Sequence, residues 1–480
     1  MQPPSRRSLW WLLSSAESVP KESVSKKSVS DRVIGDDRTT LRVRDLHDRT
    51  SLGGRLAELR GRSVMIATVR QLPTVLALVE LDGVARRVVL CTPDLAAEHI
   101  PAILAGAEID TVVTDDARFG GALPTGVSIV ASHDRLDAIS APIDRNTDTE
   151  WVLFTSGTLG RPKMVSHNLA SLAGPLQDGL AARQFAVWST FYDVRRYGGL
   201  QIMLRALIGG GSMILSSHEE PVAAFLARAG RAGVTHISGT PSHWRRALIS
   251  GVADRIAPDY ARLSGEIADQ AILDTLRHTY PRARIAHAFA TTEGGVVFDV
   301  QDNLAGFPAS VMEPGGPLDR LGVSMIVRDD TLHIRSSRTA AGYIGADAPR
   351  LHDAQGYVDT GDVVELRGDR YHFVGRKEGI INVGGRKVHP EEVEAVINRN
   401  PLVRMSRVYA RASPITGAIV SADVVLKEPA VGSQADFAQV REEILDACRR
   451  VLPAHKVPVT LRPVESLRIT SSGKLARTHA

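Results

Sequence analysis

A short loop rich in glycine and hydroxyl groups follows an apolar strand predicted at residues 151–154. The groups in this loop that could bind phosphate are Thr155, Ser156, Gly157, Thr158, Gly160 and Lys163. Glycines let backbone N–H groups approach phosphate oxygens, hydroxyls donate further hydrogen bonds, and a lysine supplies positive charge. The spacing does not match a G-x-x-x-x-G-K-[ST] P-loop. The loop therefore predicts a polyphosphate site, with a polar turn between strand and helix as the alternative.

Acidic, basic and hydroxyl side chains recur in four later segments of the chain. These segments are F-A-T-T-E at 289–293, Y-V-D-T-G-D at 357–362, a glycine-rich and charged run at 375–394, and R-I-T-S-S-G-K-L-A-R at 468–477. A carboxylate and a hydroxyl at the end of a strand can bind a magnesium–phosphate pair. Another carboxylate can accept hydrogen bonds from two sugar hydroxyls. These groups suit a nucleotide with its phosphates.

In this order the five segments resemble the motifs of adenylate-forming enzymes, the family of acyl-CoA synthetases, aryl-acid ligases, luciferases and peptide-synthetase adenylation domains. The family's loop signature is T-S-G-[ST]-T-G-x-P-K-G, in which Leu159 and Met164 here replace the second Thr and the last Gly. Phe289 and Ala290 stand where the family has Tyr-Gly, and the proline of the last motif is absent. The resemblance covers about residues 50–480, and the charged and hydroxyl groups with direct roles are all present.

The resemblance implies a role for each of these groups. Thr292 would bind the α-phosphate, Glu293 would help to hold Mg²⁺, and Lys474 would stabilise the pentavalent phosphorus and the incoming carboxylate. Asp362 would accept both ribose hydroxyls, and Glu378 would be the hinge before a mobile C-terminal domain. The other residues expected to contact ATP or AMP are Gly265, Glu266, Ala288, Phe289, Ala290 and Arg376. Lys474, Thr292 and Glu293 are thus the predicted catalytic residues, with Glu293 as the metal ligand.

The implied reaction is the activation of a small carboxylic acid by ATP, followed by transfer of the acyl group to a thiol. The first step gives acyl-AMP and pyrophosphate, and it needs no general base because a carboxylate is already ionised. The acceptor is the thiol of CoA or the phosphopantetheine of a separate acyl carrier protein. The alternatives are an enzyme that activates an amino acid or stops at acyl-AMP, and a weakened nucleotide-binding protein without catalysis.

The acyl pocket is expected in the segment that follows the phosphate loop, and Tyr192, Asp193 and Gly199 are its predicted residues. An aspartate in this region can hold the ammonium group of an amino acid, but the F-D-x-S pattern of amino-acid-activating domains is missing. An aromatic or medium-chain acid is therefore the preferred substrate. An ion pair of Asp193 with Arg195 or Arg196 is an equally acceptable role for that carboxylate.

The elements that must position these residues alternate between short apolar runs and helical patterns. Strands predicted at 63–69, 85–91 and 111–114 alternate with helices at 72–81 and 95–105, which indicates a doubly wound parallel sheet. Short alternating strands after residue 322 indicate a small antiparallel β region. The prediction is an α/β fold with a poorly ordered tail over 1–45, an AMP-binding domain over 46–376 and a small α+β lid over 377–480.

Composition limits the remaining classes of function. A net charge of +4 over 480 residues, without a basic stripe, gives no indication of nucleic-acid binding. No apolar run reaches the roughly 18 residues that span a bilayer, and the run Leu9–Leu13 after Arg6-Arg7 is short for a signal peptide. Two distant cysteines give no disulfide framework. A cytoplasmic location is expected, and the oligomeric state is open, with a homodimer as one alternative.

Overall fold

The computed structural model describes residues 8–15, 32–119, 123–139, 142–155, 162–174, 186–217, 219–414, 416–427, 434–470 and 472–477. Over these ranges the chain forms two large mixed sheets with flanking helices, a five-stranded antiparallel sheet and a C-terminal α+β unit. The predicted α/β fold class is confirmed. Among the described residues, no helix combines the length and apolar character needed to cross a membrane.

The first sheet has eight strands and carries most of the predicted site. In spatial order its strands are Gly295–Val300, Arg284–Thr291, Tyr260–Ser264, His236–Gly239, Val187–Thr190, Ser212–Leu215, Val33–Gly35 and Thr40–Arg42. The interior strands are parallel, and the two edge strands are antiparallel to their neighbours. Its crossover helices are Tyr197–Ile208, Val222–Arg231, Pro241–Ile249 and Gln270–Thr279. Parallel strands place their carboxyl ends at one edge, where ligands bind in such folds.

The second sheet has seven strands and leads into the phosphate loop. In spatial order its strands are Gly342–Ile344, Lys163–Asn168, Glu150–Thr155, Arg87–Leu90, Ser63–Ala67, Thr111–Thr114 and Ser128–Ala131. Helices Gln71–Leu81, Ile100–Gly106 and Leu169–Ala173 accompany it. The helix predicted at 95–105 begins later than expected, because Pro101 lacks an N–H and fits only the first turn. A short pair, Arg49–Thr50 with Asp137–Ala138, lies beside this layer.

The two sheets share one hydrophobic core. Every residue of helix Gln71–Leu81 is buried, and this helix packs in the same apolar cluster as helix Tyr197–Ile208 of the first layer. The small β region follows as the antiparallel strands Phe307–Pro308, Arg370–Arg376, Val358–Arg367, Thr331–Arg335 and Ser324–Arg328. Its presence confirms the small antiparallel β region predicted after residue 322.

The C-terminal unit has its own apolar core, which contains described residues only from Ile381 to Leu461. It contains the hairpin Ile381–Val383 and Arg386–Val388, the helices Pro390–Ile397 and Gln434–Val451, and the strands Val403–Ser413, Gly417–Leu426 and Thr460–Pro463. A unit that moves as a rigid body needs an apolar core of its own.

The sequence predicts a poorly ordered tail over 1–45, and this prediction is wrong for the residues described there. Helix Leu9–Ser15 packs on the main core with Leu9 and Leu13 almost fully buried. The Asp82 carboxylate accepts a hydrogen bond from the Leu9 N–H at 2.6 Å. Strand Val33–Gly35 pairs in parallel with Ser212–Leu215 inside the first sheet. Segments this short carry little periodicity, and only their tertiary contacts order them.

Candidate active site

The carboxyl edge of the first sheet brings three predicted segments together. Strands His236–Gly239, Tyr260–Ser264 and Arg284–Thr291 are parallel neighbours, so the residues that follow each strand lie side by side. Gly265 and Glu266 follow the middle strand, and Thr292 and Glu293 follow the third. Residues far apart in sequence are thus close at one edge, as expected for a ligand site in a parallel sheet.

Lys474 enters this edge from the C-terminal unit. A Cβ atom added at Gly265, which has a φ of +85°, would lie 3.5 Å from the Lys474 Cε. Lys474 is exposed as a residue, yet neighbouring protein groups partly desolvate its ammonium group, and this lowers its pKa. Glu266 and Asp362 oppose that shift, while Arg376 adds to it. The structure therefore brings Lys474, Gly265, Glu266, Asp362 and Arg376 into one site.

Asp362 and Arg376 face each other across two antiparallel strands. They are register partners, with the Arg376 Nε 3.7 Å from the Asp362 Oδ1. The Arg376 Nη2 also donates to the Thr360 carbonyl oxygen at 2.8 Å, which fixes the guanidinium. Burial raises the pKa of Asp362, and the charges of Arg376 and Lys474 act against this rise. Its binding of the ribose hydroxyls remains a prediction.

Thr292 and Glu293 are held by two residues that the sequence analysis did not single out. The Thr292 carbonyl oxygen lies 2.7 Å from the Nε2 of buried His167, and burial lowers the pKa of this histidine to about 4. A neutral His167 can therefore donate from Nε2. The Tyr343 hydroxyl donates to the Glu293 Oε1 at 3.2 Å. The nearest sequence signal was the position of His167 four residues after Lys163.

The ends of the phosphate loop are adjacent in the structure. Thr155 and Lys163 are register partners at the ends of strands Glu150–Thr155 and Lys163–Asn168. The Lys163 Nζ lies 5.2 Å from the centre of the Tyr343 ring, so Tyr343 lies between this lysine and Glu293. The predicted residues Ser156, Gly157, Thr158 and Gly160 lie outside the described residues.

The predicted adenine neighbours lie on strand Arg284–Thr291. The Phe289 ring is partly exposed and stacks on Phe373 at 4.7 Å between ring centres, with Phe298 at 5.8 Å. Ala288 pairs with Ser264 of the neighbouring strand, and Ala290 packs partly against the main core. The aromatic neighbours fix the Phe289 ring in place. Its contact with adenine remains a prediction.

The predicted acyl-pocket residues are engaged with protein groups. The Tyr192 hydroxyl donates to the Ser264 carbonyl oxygen at 2.7 Å in a buried position, and burial raises its pKa. Both Asp193 oxygens accept from Arg195, at 2.7 Å from Nε and 2.6 Å from Nη2. A Cβ atom at Gly199 would overlap the Asp193 carbonyl group, so a close backbone approach accounts for this glycine. The ion-pair alternative for Asp193 is the one observed.

The described residues contain no cluster of three or more His, Cys, Asp or Glu side chains that could hold a metal ion alone. Magnesium is commonly held by one or two carboxylates together with substrate phosphates. Glu293, with its Oε1 hydrogen-bonded to Tyr343, fits that single-carboxylate role. Glu378 lies in the one-turn segment Lys377–Gly379 that follows strand Arg370–Arg376 and precedes the C-terminal core.

Sequence relatives of this chain include both peptide synthases and CoA ligases. The syringomycin synthase of Pseudomonas syringae pv. syringae is 26% identical over 424 residues, which cover 80% of this chain and 67% of that protein. The 2-succinylbenzoate–CoA ligase of Listeria innocua is 25% identical over 405 residues, 80% of each chain. The chain spans less than a quarter of several longer peptide synthases.

A solved relative and the family profiles agree with this likeness. The o-succinylbenzoate CoA synthetase of Bacillus subtilis, solved with its acyl-adenylate intermediate, shares the fold with a TM-score of 0.70 and 18% identity, over 98% of this chain and 97% of that one. The profile of the AMP-binding enzyme C-terminal domain matches residues 392–474. The profile of the AMP-binding enzyme matches residues 31–351, more than half of the chain. The chain therefore belongs to the AMP-binding enzyme family.

Proposed function

We propose that this chain uses ATP to join a carboxylic acid to a thiol in two steps. In the first step a carboxylate oxygen attacks the α-phosphorus, the bond to pyrophosphate breaks, and acyl-AMP forms. In the second step a thiolate sulfur attacks the acyl carbonyl, the bond to AMP breaks, and the thioester forms. The observation that carries the proposal is the entry of Lys474 from the C-terminal unit into the cleft that contains Glu266, Asp362 and Arg376.

The first step depends on positioning and on charge. Lys474 would place positive charge beside the pentavalent phosphorus, and Thr292 would donate to its oxygens. Mg²⁺, bound by Glu293 and the phosphates, would neutralise their negative charge. Asp362 would hold the ribose, and Arg376 would contact the ribose or the phosphates. The hydrogen bonds to Thr292 and Glu293 keep these groups in place before the nucleotide arrives.

An aromatic or medium-chain acid is the proposed substrate class. Arg195 donates to both Asp193 oxygens and compensates the charge of this carboxylate, which favours a structural role over binding the ammonium group of an amino acid. Breaking a pair this buried is costly, because it leaves the Arg195 charge without a partner. The relative from Listeria innocua is named for an aryl acid, which favours the same class.

The proposed acceptor is CoA or the phosphopantetheine of a separate carrier protein. The relative named as a CoA ligase supports CoA as the acceptor, and the relative named as a syringomycin synthase supports a carrier protein. The proposed domains follow the predicted bounds, 46–376 for nucleotide binding and 377–480 for the lid. In the described structure, residues 32–45 join the first of these units through their strands.

A panel of acids tests the proposal with pyrophosphate release as the measurement. We expect release with ATP, Mg²⁺ and an aromatic or medium-chain acid, and thioester formation once CoA or a phosphopantetheinylated carrier is added. Release with amino acids alone would contradict the acid class. Acyl-AMP that accumulates with either thiol present would contradict the second step. No release with any acid would favour a nucleotide-binding protein without catalysis.

A further inference from the structure

The backbone on each side of Lys474 is held by a side chain of the large domain. The Thr240 Oγ1 donates to the Gly473 carbonyl oxygen at 2.7 Å. The Glu266 Oε1 accepts from the Leu475 N–H at 2.8 Å. These two hydrogen bonds enclose Lys474, so they fix the main chain from which its side chain extends into the cleft.

The two side chains that hold this backbone are themselves anchored at the start of helix Pro241–Ile249. The Ser242 N–H donates to the Glu266 Oε2 at 2.9 Å, and the Ser242 hydroxyl donates to the Oε1 at 3.0 Å. A carboxylate is also favoured at a helix N-terminus by the helix dipole. Thr240 is the N-cap of the same helix, because its Oγ1 accepts from the His243 N–H at 3.0 Å. One helix start therefore carries both contacts.

Gly473 fits against this helix start in a way that no larger residue could. Its φ is +77°, and a Cβ atom at this position would overlap the His243 ring. Within the C-terminal segment, the Thr470 N–H donates to the Lys474 carbonyl oxygen at 2.7 Å, and the Gly473 N–H donates to the Thr470 carbonyl oxygen at 2.8 Å. A tight turn thus presents Lys474 to the large domain as a preformed unit.

We propose that Thr240 and Glu266 are positioning residues that dock the Lys474 turn for the first step of the reaction. This inference rests on the proposed function. It also changes the expected role of Glu266, since both of its oxygens are engaged with Ser242 and Leu475 rather than open toward a nucleotide. Because the contacts link the two domains, they stabilise the arrangement in which Lys474 lies beside Gly265 at the edge of the first sheet.

The test compares Thr240→Val and Glu266→Gln with matched controls. Valine keeps the shape of threonine and removes the donor. Glutamine has one acceptor oxygen where Glu266 has two, so it cannot accept from the Leu475 N–H and the Ser242 N–H together. Thr240→Ser restores the hydroxyl and should recover the wild-type rate. Glu98→Gln removes an exposed carboxylate elsewhere and should change nothing. We expect Thr240→Val and Glu266→Gln each to lower kcat of acyl-AMP formation about tenfold to a hundredfold.

Two further measurements separate positioning from a general loss of structure. The KM for ATP should change less than threefold, and thioester formation from supplied acyl-AMP should stay within twofold of wild type. Hydrogen–deuterium exchange of the full-length chain with ATP should show a protected Leu475 amide that loses its protection in both variants. An equal loss of both reaction steps, or of neither, would overturn the proposal.

The exchange measurement also distinguishes this inference from the proposed function. An unprotected Leu475 amide in the wild-type chain would overturn the docking contact, even if every acid is activated normally. Conversely, if the wild-type chain releases no pyrophosphate with any acid, the proposed function fails and no catalytic role is left for Thr240 and Glu266. Loss of amide protection in the variants would then establish a docking contact only.

Discussion

The side chains in the cleft have different proposed roles, and the role of Lys474 is the most direct. It is the cation placed by the C-terminal unit among Glu266, Asp362 and Arg376. Its lowered pKa follows mainly from dehydration, and the nearby carboxylates oppose that effect. An ammonium group in this setting stabilises developing negative charge more strongly than it would in bulk water.

Lys474→Ala should lower the rate of acyl-AMP formation about a hundredfold or more, since it removes the charge proposed to stabilise the pentavalent phosphorus. Thioester formation from supplied acyl-AMP should remain largely intact. Pyrophosphate release and single-turnover thioester formation measure the two steps separately. Lys427→Ala, at an exposed position, is the control and should retain both. An equal loss of both steps in Lys474→Ala would contradict this division of labour.

Glu391 is a partly buried carboxylate beside Gly375, at the boundary between the domains. Burial raises its pKa to about 7, and Arg477, 3.3 Å from its Oε1, acts against that rise. Its Oε2 has no hydrogen-bond partner among the described residues. The folded chain therefore holds this proton more tightly than the unfolded chain. The resulting stability is present below about pH 4.5 and is lost as the pH rises through about 7.

Glu391→Gln should remove this pH dependence, because an amide stays neutral throughout. When the pH rises from 5 to 8, the wild type should lose on the order of 2 kcal/mol more of its free energy of unfolding than the variant loses. Urea unfolding at the two pH values measures the difference. Glu442→Gln at an exposed position should give no such gain. A parallel pH dependence in Glu391→Gln and wild type would show that Glu391 is ionised in the folded chain.

At the scale of elements, the short N-terminal helix Leu9–Ser15 has an unexpectedly central place. It contacts helices Gln71–Leu81 and Tyr197–Ile208, and a Cβ atom at Gly83 would collide with Ser8. Isolated helices of this length are not stable in water. Its structure therefore depends on burying Leu9 and Leu13 and on the hydrogen bond to Asp82.

Leu13→Ala should destabilise the chain by about 2–4 kcal/mol, because it opens a cavity in the main core. Chemical unfolding monitored by circular dichroism measures this loss. The matched control is Leu366→Ala, where the leucine is 53% exposed and the cost should be below about 0.5 kcal/mol. Equal, small effects for the two variants would mean that the helix does not dock as described.

At the scale of the whole molecule, the two units meet through the Lys474 turn and through helix Pro390–Ile397. The Arg477 Nη2 pairs with Glu394 at 2.8 Å, which ties the end of the chain to its own domain. The Asn398 side chain donates to Asp269 of the large domain at 3.3 Å. The apolar core on the C-terminal side is separate from the main core, which fits the proposed rotation of that unit without unfolding.

Glu378→Pro should slow thioester formation about tenfold or more and leave acyl-AMP formation less affected, because proline fixes φ within the predicted hinge. This is the reverse of the pattern expected for Lys474→Ala. Glu378→Ala leaves the backbone free and serves as the control, with both steps near wild type. If Glu378→Pro formed thioester at the wild-type rate, the hinge would have to lie at another residue.

The sequence by itself determined the fold class, most strands and helices, and the order of the nucleotide motifs. These follow from local patterns, such as the apolar run at 151–154, and from residue types at fixed spacing, such as those around Thr292 and Lys474. The helix predicted at 72–81 differs by one residue from the observed Gln71–Leu81. Local patterns of this kind need no knowledge of distant contacts.

Only the tertiary structure decided which partner each charged group has. In the tertiary structure Asp193 pairs with Arg195, and Glu266 accepts a hydrogen bond from the turn that carries Lys474. The same structure holds the segment Leu9–Ser15 as a helix. His167 and Tyr343 became functional candidates only when the second sheet placed them beside Thr292 and Glu293. Apart from the Asp193–Arg195 pair, whose members are two positions apart, these outcomes depend on contacts between residues that are far apart in the chain. Hydrogen bonds and burial at such distances leave no periodic trace in the sequence.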